Sequence, residues 1–324
     1  MCKRSLAGIA GSVAAATLLS KVFGLVRETA SAAAFGTGPV IDAFGAAYII
    51  PGFLLVLLGG INGPFHSAIV SAIAKREKEE IAPIIETITT IVGIALIFVT
   101  IGIIAFAGPI IDLLGRGFQA TELGLVSREI AIVQLQIMAP ITIFACFIGI
   151  GFGALNAADQ YWLPSLSPLI SSSAAILGIS ILWLVLGNDI LLPENQMLGG
   201  MVLAASALVG AILQWLIQVP ALWKSGLGRL RLRFKLKDPG VQDVLKVLIP
   251  ATFSSGTMQI NVITDQFFAA FVPGTLAALG FANLLVQTPL GIVSNVILVP
   301  FFPIFSRLAL PAQWPELKQR IRQA

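Results

Sequence analysis

The side chains best suited to chemistry in this sequence lie where a bilayer penalises them most. The stretch SKVFGLVRETASAAAFGTG, residues 20–38, places Lys21, Arg27 and Glu28 within a run that is otherwise apolar or small. A charge at the centre of a membrane helix costs about 2.5–3.5 kcal/mol even on insertion-based scales, so these groups are expected to face protein or water. At about 100° per residue, Lys21 and Glu28 share one stripe of a helix. Arg27 falls on a neighbouring face with Ser20, Gly24 and Ser31, where it meets no acid. Its nearest candidate partner is Asp42, across the GTGP turn. Either Asp42 neutralises Arg27 between helices, or Arg27 is held for an anionic ligand. A guanidinium suits bidentate contact with phosphate oxygens, so a phosphate-bearing substrate is the expectation. The plainer alternative is that Lys21 and Arg27 snorkel to opposite interfaces and anchor the helix.

Other polar groups recur at membrane depth. Asp265, in NVITDQFFAAF, can couple to a cation, pair with a base on another helix, or mark a water-facing helix end. Asn283 in GFANLL and Gln287 in VQTPLG are weaker candidates, because amides commonly join membrane helices. His66 is the only histidine and is expected at an interface. The segment YIIPGFLLVLLGGINGPFHSAIV contains Pro51-Gly52, Gly59-Gly60 and Gly63-Pro64, so the second span is expected to be interrupted and to line a cavity. Two cysteines at Cys2 and Cys146 give neither a disulfide framework nor a metal site. One histidine, no HExxH, no GxSxG and no P-loop leave an enzyme without a nucleophile or metal cage, and no cofactor is expected.

The elements that must hold these residues are membrane helices. Of 324 residues 57% are hydrophobic and 11% charged, with mean hydropathy +0.94. Soluble domains carry about 25% charged residues. Apolar runs of roughly 20 residues, enough to cross the hydrocarbon, recur throughout. The expected fold is an all-α polytopic membrane protein with about eight spans, near 5–34, 40–74, 81–107, 129–155, 162–187, 197–222, 241–271 and 276–306. The first segment lacks a compact h-region with a cleavage site and is expected to be retained.

Positive charge sorts to one side. Lys3, Arg4, Lys75, Arg76, Lys78, the run from Lys224 to Lys237, and Arg307, Lys318, Arg320 and Arg322 all fall on one side of the expected topology. The other side carries Arg116 and Arg128, and its 188–196 connection has acids and no base. The N terminus is therefore expected to be cytoplasmic. The computed pI of 9.3 reflects these connections rather than a nucleic-acid surface. The stretch RLRLRFKLKDPG, residues 229–240, alternates basic and apolar residues and either lies on anionic headgroups or serves as a solvated linker. It divides the chain into a six-helix lobe over 1–224, a basic cytoplasmic linker over 225–240, and the start of a second lobe over 241–324, with two helices and a basic amphipathic tail. Ala33, Ala34, Phe35 and Gly38 recur as Ala269, Ala270, Phe271 and Gly274, and Pro64-Phe65 as Pro300-Phe301, which favours internal duplication.

At SKVFGLVRETASAAAFGTGPVIDAF, AAYIIPG, GPFHSAIV, ALNAADQYWLPSLSPL and NVITDQFFAAFVPGTLAALGFANLLVQTPLGI, the sequence resembles the MurJ (MviN) lipid II flippase family. The resemblance covers nearly the whole chain, and the first motif is its most specific part. It implies the fold of the multidrug, oligosaccharidyl-lipid and polysaccharide exporter superfamily, with two pseudo-symmetric six-helix lobes around a central cavity. The implied activity is movement of polyprenyl-pyrophosphate-linked peptidoglycan precursor across the bacterial cytoplasmic membrane by alternating access. On that basis Lys21 stands where the family has arginine, Arg27 matches a cavity arginine and Asp42 matches its acidic partner. Glu28, Asp265 and Asn283 join them as cavity or coupling candidates. The implied partners are a lipid-linked glycan, membrane lipids and a coupling cation, with no nucleic acid.

Two departures bear on the substrate. The family's basic pair in the second span is replaced by LLVLLGG, and Leu284 follows Ala282-Asn283 where the family has arginine. The resemblance implies about six further helices that this sequence does not contain, so a fragment or half-transporter is expected. Two other activities stay open: an ion-coupled small-molecule exporter using Asp42 or Asp265, and a membrane scaffold that does not transport.

Overall fold

A computed structural model describes residues 6–59, 66, 68–70, 76, 78–158, 160–228, 231–286 and 289–290, and the regular structure among them is helical, with no strand. The helices are α1 (Leu6–Phe35), α2 (Pro39–Gly59), α3 (Lys78–Ala105), α4 (Ala107–Leu114), α5 (Glu122–Met138), α6 (Ile141–Ala157), α7 (Trp162–Leu186), α8 (Gln196–Leu216), α9 (Val219–Lys224), α10 (Pro239–Ala269) and α11 (Thr275–Val286). Four described stretches are long and apolar enough to cross a membrane: Pro39–Gly59, Glu80–Ala105, Trp162–Leu191 and Pro193–Lys224. The bent α5–α6 pair adds a fifth. The expected eight spans thus match in position more than in number. α1 and α10, of 30 and 31 residues, occupy the expected first and seventh spans.

Two local expectations change. The fourth span is two helices bent by 43°, because Pro140 has no N–H to continue the ladder. The second span is unbroken at Pro51-Gly52: α2 runs through Pro51 to Gly59, since proline's fixed φ suits a helix even as it removes one donor. The expected breaks at Gly60 and at Gly63-Pro64 lie outside the described residues, as do Gln287 and the Pro300-Phe301 repeat.

The bundle packs on small residues. α1 lies along α7, α7 along α8, and α2 against α5, α6 and α8. A Cβ on Gly149 would sit 1.8 Å from the Leu58 carbonyl oxygen, so α6 meets α2 backbone to backbone. Buried Gln134 donates to the Gly200 carbonyl at 3.2 Å, and Thr100 bonds Thr142 at 2.7 Å. Phe98, Ile181, Leu184 and Val185 instead point outward, as lipid-facing side chains do. Exposed Trp162 and Trp183 sit 21 residues apart on α7, about 32 Å along a helix, which brackets the hydrocarbon thickness with an aromatic residue at each edge.

Helix direction gives the bundle two ends. Arg76, the start of α3, the 225–238 connection and the start of α10 share a basic end. The turn after α10 meets both the turn after α1 and the 116–120 turn at the opposite end, here the turn end. Each of the two repeated motifs there ends a long helix and leads into the next, and each turn holds a left-handed glycine, Gly36 (φ 59°) and Gly274 (φ 80°), at positions of the repeat that do not correspond.

Candidate functional site

α1, α2, α10 and α11 enclose a cavity of about 450 Å³. One face of α2 supplies its apolar wall through Phe44, Tyr48, Ile49, Gly52, Phe53 and Val56, so the second span does line a cavity. Glu28 of α1, Gln266 of α10, Asn283 of α11 and the Tyr48 hydroxyl are polar groups in its lining, and the described lining contains no lysine or arginine. A second chamber of about 110 Å³ lies inside the α1–α8 bundle and is lined by Arg27, Glu28, Ser31, Tyr48 and Ser171, among others. Glu28, Phe44 and Tyr48 border both, so a thin wall separates the arginine from the larger cavity. The Phe44 and Tyr48 rings stack at 5.3 Å and stiffen that wall.

Arg27 has a partner that helical phase does not suggest. Its Nε donates to Glu28 Oε1 at 3.1 Å and its Nη2 reaches the same oxygen. Adjacent residues on a helix diverge by about 100°, yet two long side chains can close that angle. Ser31 Oγ donates to the Arg27 carbonyl at 3.0 Å, so the arginine's own face holds only neutral groups, as expected.

Asp42 does not neutralise Arg27. It is 3% exposed in the first turn of α2, and its carboxylate accepts the backbone N–H of Gly274, and that of Ala277 at 3.0 Å. Those donors open α11. The first N–H groups of a helix lack internal acceptors and carry the positive end of the dipole, so a buried carboxylate is a strong cap. Asp42 thus ties α2 to α11 across 232 residues of sequence. Glycines let the backbones close around it: a Cβ on Gly117 would lie 2.1 Å from the Ala270 carbonyl oxygen, and one on Gly45 would lie 3.2 Å from Leu276 Cβ.

The family profile for the lipid II flippase MurJ matches residues 31–324. The chain belongs to the MurJ lipid II flippase family. A probable lipid II flippase MurJ from Synechocystis sp. is 55% identical over 320 residues, covering 99% of this chain and 59% of that protein. A probable MurJ from Vibrio cholerae is 29% identical, covering 91% of this chain and 55% of the relative. A solved lipid II flippase MurJ in an inward closed conformation shares the fold at a TM-score of 0.69 and 23% identity, over 86% of this chain and 55% of that one. The chain therefore spans little more than half the length of these relatives. It is an all-helical, multi-pass membrane protein of a flippase family.

Against the site pattern expected from the MurJ resemblance, the residues divide. Arg27, Glu28 and Asn283 gather at the two chambers. Lys21 is half-buried on α1, lines neither chamber and forms no ion pair among the described residues. Asp265 is exposed and outside the cavity wall, whereas its neighbour Gln266 faces in. His66 hydrogen-bonds Asn156 at the end of α6 at 2.8 Å. Tyr48 and Gln266 were not anticipated. Tyr48 had a signal, being one of two tyrosines in the chain and set in an apolar span.

Arg128, one of the two bases expected on the non-basic side, is neutralised there by Asp112: its Nε reaches Oδ1 at 2.5 Å and its Nη2 reaches Oδ2 at 2.9 Å. The hydrogen bonds from Arg128 hold the Asp112 carboxyl below the usual carboxylate range. At the basic end, Arg233 Nε lies 3.0 Å from Oε2 of buried Glu86.

Proposed function

We propose that this chain is the substrate-binding part of a flippase that carries polyprenyl-pyrophosphate-linked peptidoglycan precursor, lipid II, from the cytoplasmic to the outer leaflet of a bacterial inner membrane. The single observation that carries this reading is a cavity between the α1–α2 and α10–α11 helix pairs, in a chain of the MurJ family, with Arg27 one wall away. The proposed orientation puts the N terminus and the basic end in the cytoplasm, because short basic connections resist translocation. The proposed units are the lobe over 1–224, the linker over 225–240 and the start of a second lobe over 241–324.

Arg27 and Glu28 suggest how an anion is received. A half-buried guanidinium without an acceptor is costly at membrane depth, so Glu28 satisfies Arg27 while the site is empty. A pyrophosphate offers more charge and a bidentate edge, and it displaces Glu28. The freed carboxylate then faces the larger cavity. A coupling cation meets Glu28 first, since it is the only acid among the described residues lining either chamber. Lys21, one stripe away, supplies further positive potential along α1. Asp42 acts by holding the turn end shut rather than by touching substrate. A pocket of about 450 Å³ suits a drug-sized ligand, so the cavity must widen for a lipid-linked glycan.

The test is growth rescue of flippase-depleted cells by the full-length protein carrying Arg27→Ala. Loss of rescue at normal membrane abundance is expected. Full rescue would remove Arg27 from the mechanism.

A further inference from the structure

The linker between α9 and α10 has a shape that transport does not require. Residues 231–235 run without helix, and Asp238 accepts the Gly240 N–H at 2.8 Å to cap α10. Successive side chains of an extended chain point to opposite sides. Arg233 is turned inward: its guanidinium pairs with Glu86, which is 6% exposed, and its backbone N–H donates to Thr90 Oγ1 at 3.1 Å. That pin sends Leu232 and Phe234 away from the bundle, where they are 81% and 64% exposed, and Leu236, in the turn closed by the Asp238 N–H on the Lys235 carbonyl, is 53% exposed. Arg231, Lys235 and Lys237 are exposed on either side of the pin.

A row of large apolar side chains beside a row of bases suits the boundary between acyl chains and anionic headgroups. The segment is tethered at that depth. It leaves the Pro193–Lys224 membrane stretch and enters α10, and exposed Trp223 stands at its start, as interfacial tryptophans do. We propose that residues 231–237 form a strap that docks on the anionic lipid surface at the basic end. Leu232, Phe234 and Leu236 enter the leaflet, while Arg231, Lys235 and Lys237 hold lipid phosphates. The Glu86–Arg233 pair fixes which row faces the lipid.

Nitroxide scanning tests this on the full chain in lipid nanodiscs, in a Cys2→Ser, Cys146→Ala background. Labels are placed one at a time at Arg231→Cys, Leu232→Cys, Phe234→Cys, Lys235→Cys and Leu236→Cys. The expected result is a period of two over 231–235, with oxygen favoured at 232 and 234 and a water-soluble nickel relaxant favoured at 231 and 235, and oxygen favoured again at 236 in the turn that follows. The contrast should be several-fold greater in phosphatidylglycerol-containing discs than in phosphatidylcholine-only discs. Glu86→Gln should flatten it while circular dichroism stays unchanged. Uniform access to water, a contrast equal in the two lipids, or one that survives Glu86→Gln undiminished would overturn the proposal. So would a contrast seen only in discs holding two copies, which would give the row to a second chain.

Discussion

At the turn end the helix pairs meet backbone to backbone, with Gly117 against Ala270, Gly45 against Leu276, and the Asp42 carboxylate on the N–H groups that begin α11. At the basic end the start of α10 buries Val241 and Val244 in one cluster with Ile81, Ile84 and Ile88, with Gly240 against Ile84, and its polar tie is an exposed side-chain pair, Arg76 Nη2 to Asp243 Oδ2 at 3.1 Å, with the Asp243 side chain 55% exposed. The first kind of contact has little middle ground. A buried donor is either bonded or left at a large cost, and backbones packed without a Cβ between them cannot slide gradually. The second kind trades easily with water and salt. On the proposed flippase reading, one end resists and the other yields. The contrast in polar ties puts the stiffer closure at the turn end.

The largest effect should come from Asp42→Ala. It leaves one buried and one partly buried helix-initiating N–H group without their charged acceptor, a loss of about 3 kcal/mol, or roughly a hundredfold shift toward opening. Reaction of Ala277→Cys with a membrane-impermeant thiol reagent added on the turn side should accelerate by that order. Asp42→Asn, which keeps one acceptor oxygen, should fall between. An unchanged labelling rate in Asp42→Ala would erase the contrast between the ends.

Gly117→Ala should come next. The added methyl overlaps the Ala270 carbonyl, and overpacking of this kind costs about 2 kcal/mol, roughly a 30-fold rise in the same labelling rate. Combined with Asp42→Ala it should add less than its separate effect, because both changes release one closure. Full additivity would mean that the glycine contact and the cap are independent.

How much of this the sequence disclosed depends on which atoms make each contact. α1 is legible because its charges are expensive in lipid, whereas α2 does line a cavity although the break at Pro51-Gly52 from which the sequence argues for one does not form. The Arg27–Glu28 pair is not legible, since helical phase describes where Cβ points and not how far a guanidinium reaches. Asp42 stands out in the sequence as an unusual acid, but of the two expected possibilities its pairing with Arg27 does not form. Its acceptors' donors are backbone N–H groups, which every residue except proline carries, so no side chain 232 positions away announced them. The repeated Ala-Ala-Phe motif was the nearest clue: it marked the two turns that meet at the closure, without saying that they meet. The bend at Pro140 and the continuity through Pro51 show the same limit, because proline removes one donor in both and the surrounding packing decides whether the helix goes on.

The smallest effect is expected at the basic end, and it sharpens the contrast most directly. Arg76 lies 3.6 Å from Glu80 as well as 3.1 Å from Asp243, so it is shared between an α3 carboxylate and an α10 carboxylate, both more than half exposed. Exposed pairs of this sort contribute under about 1 kcal/mol, and salt screens them. Arg76→Ala should therefore raise the labelling of a cysteine at Val247→Cys, applied from the basic side, by less than about fivefold. Raising the salt around the unsubstituted arginine should reproduce that rise, and should leave Asp42-dependent labelling at the turn end unmoved. A large, salt-insensitive effect of Arg76→Ala would place a second rigid closure at the basic end, and the cavity would then need both ends released before a headgroup could enter.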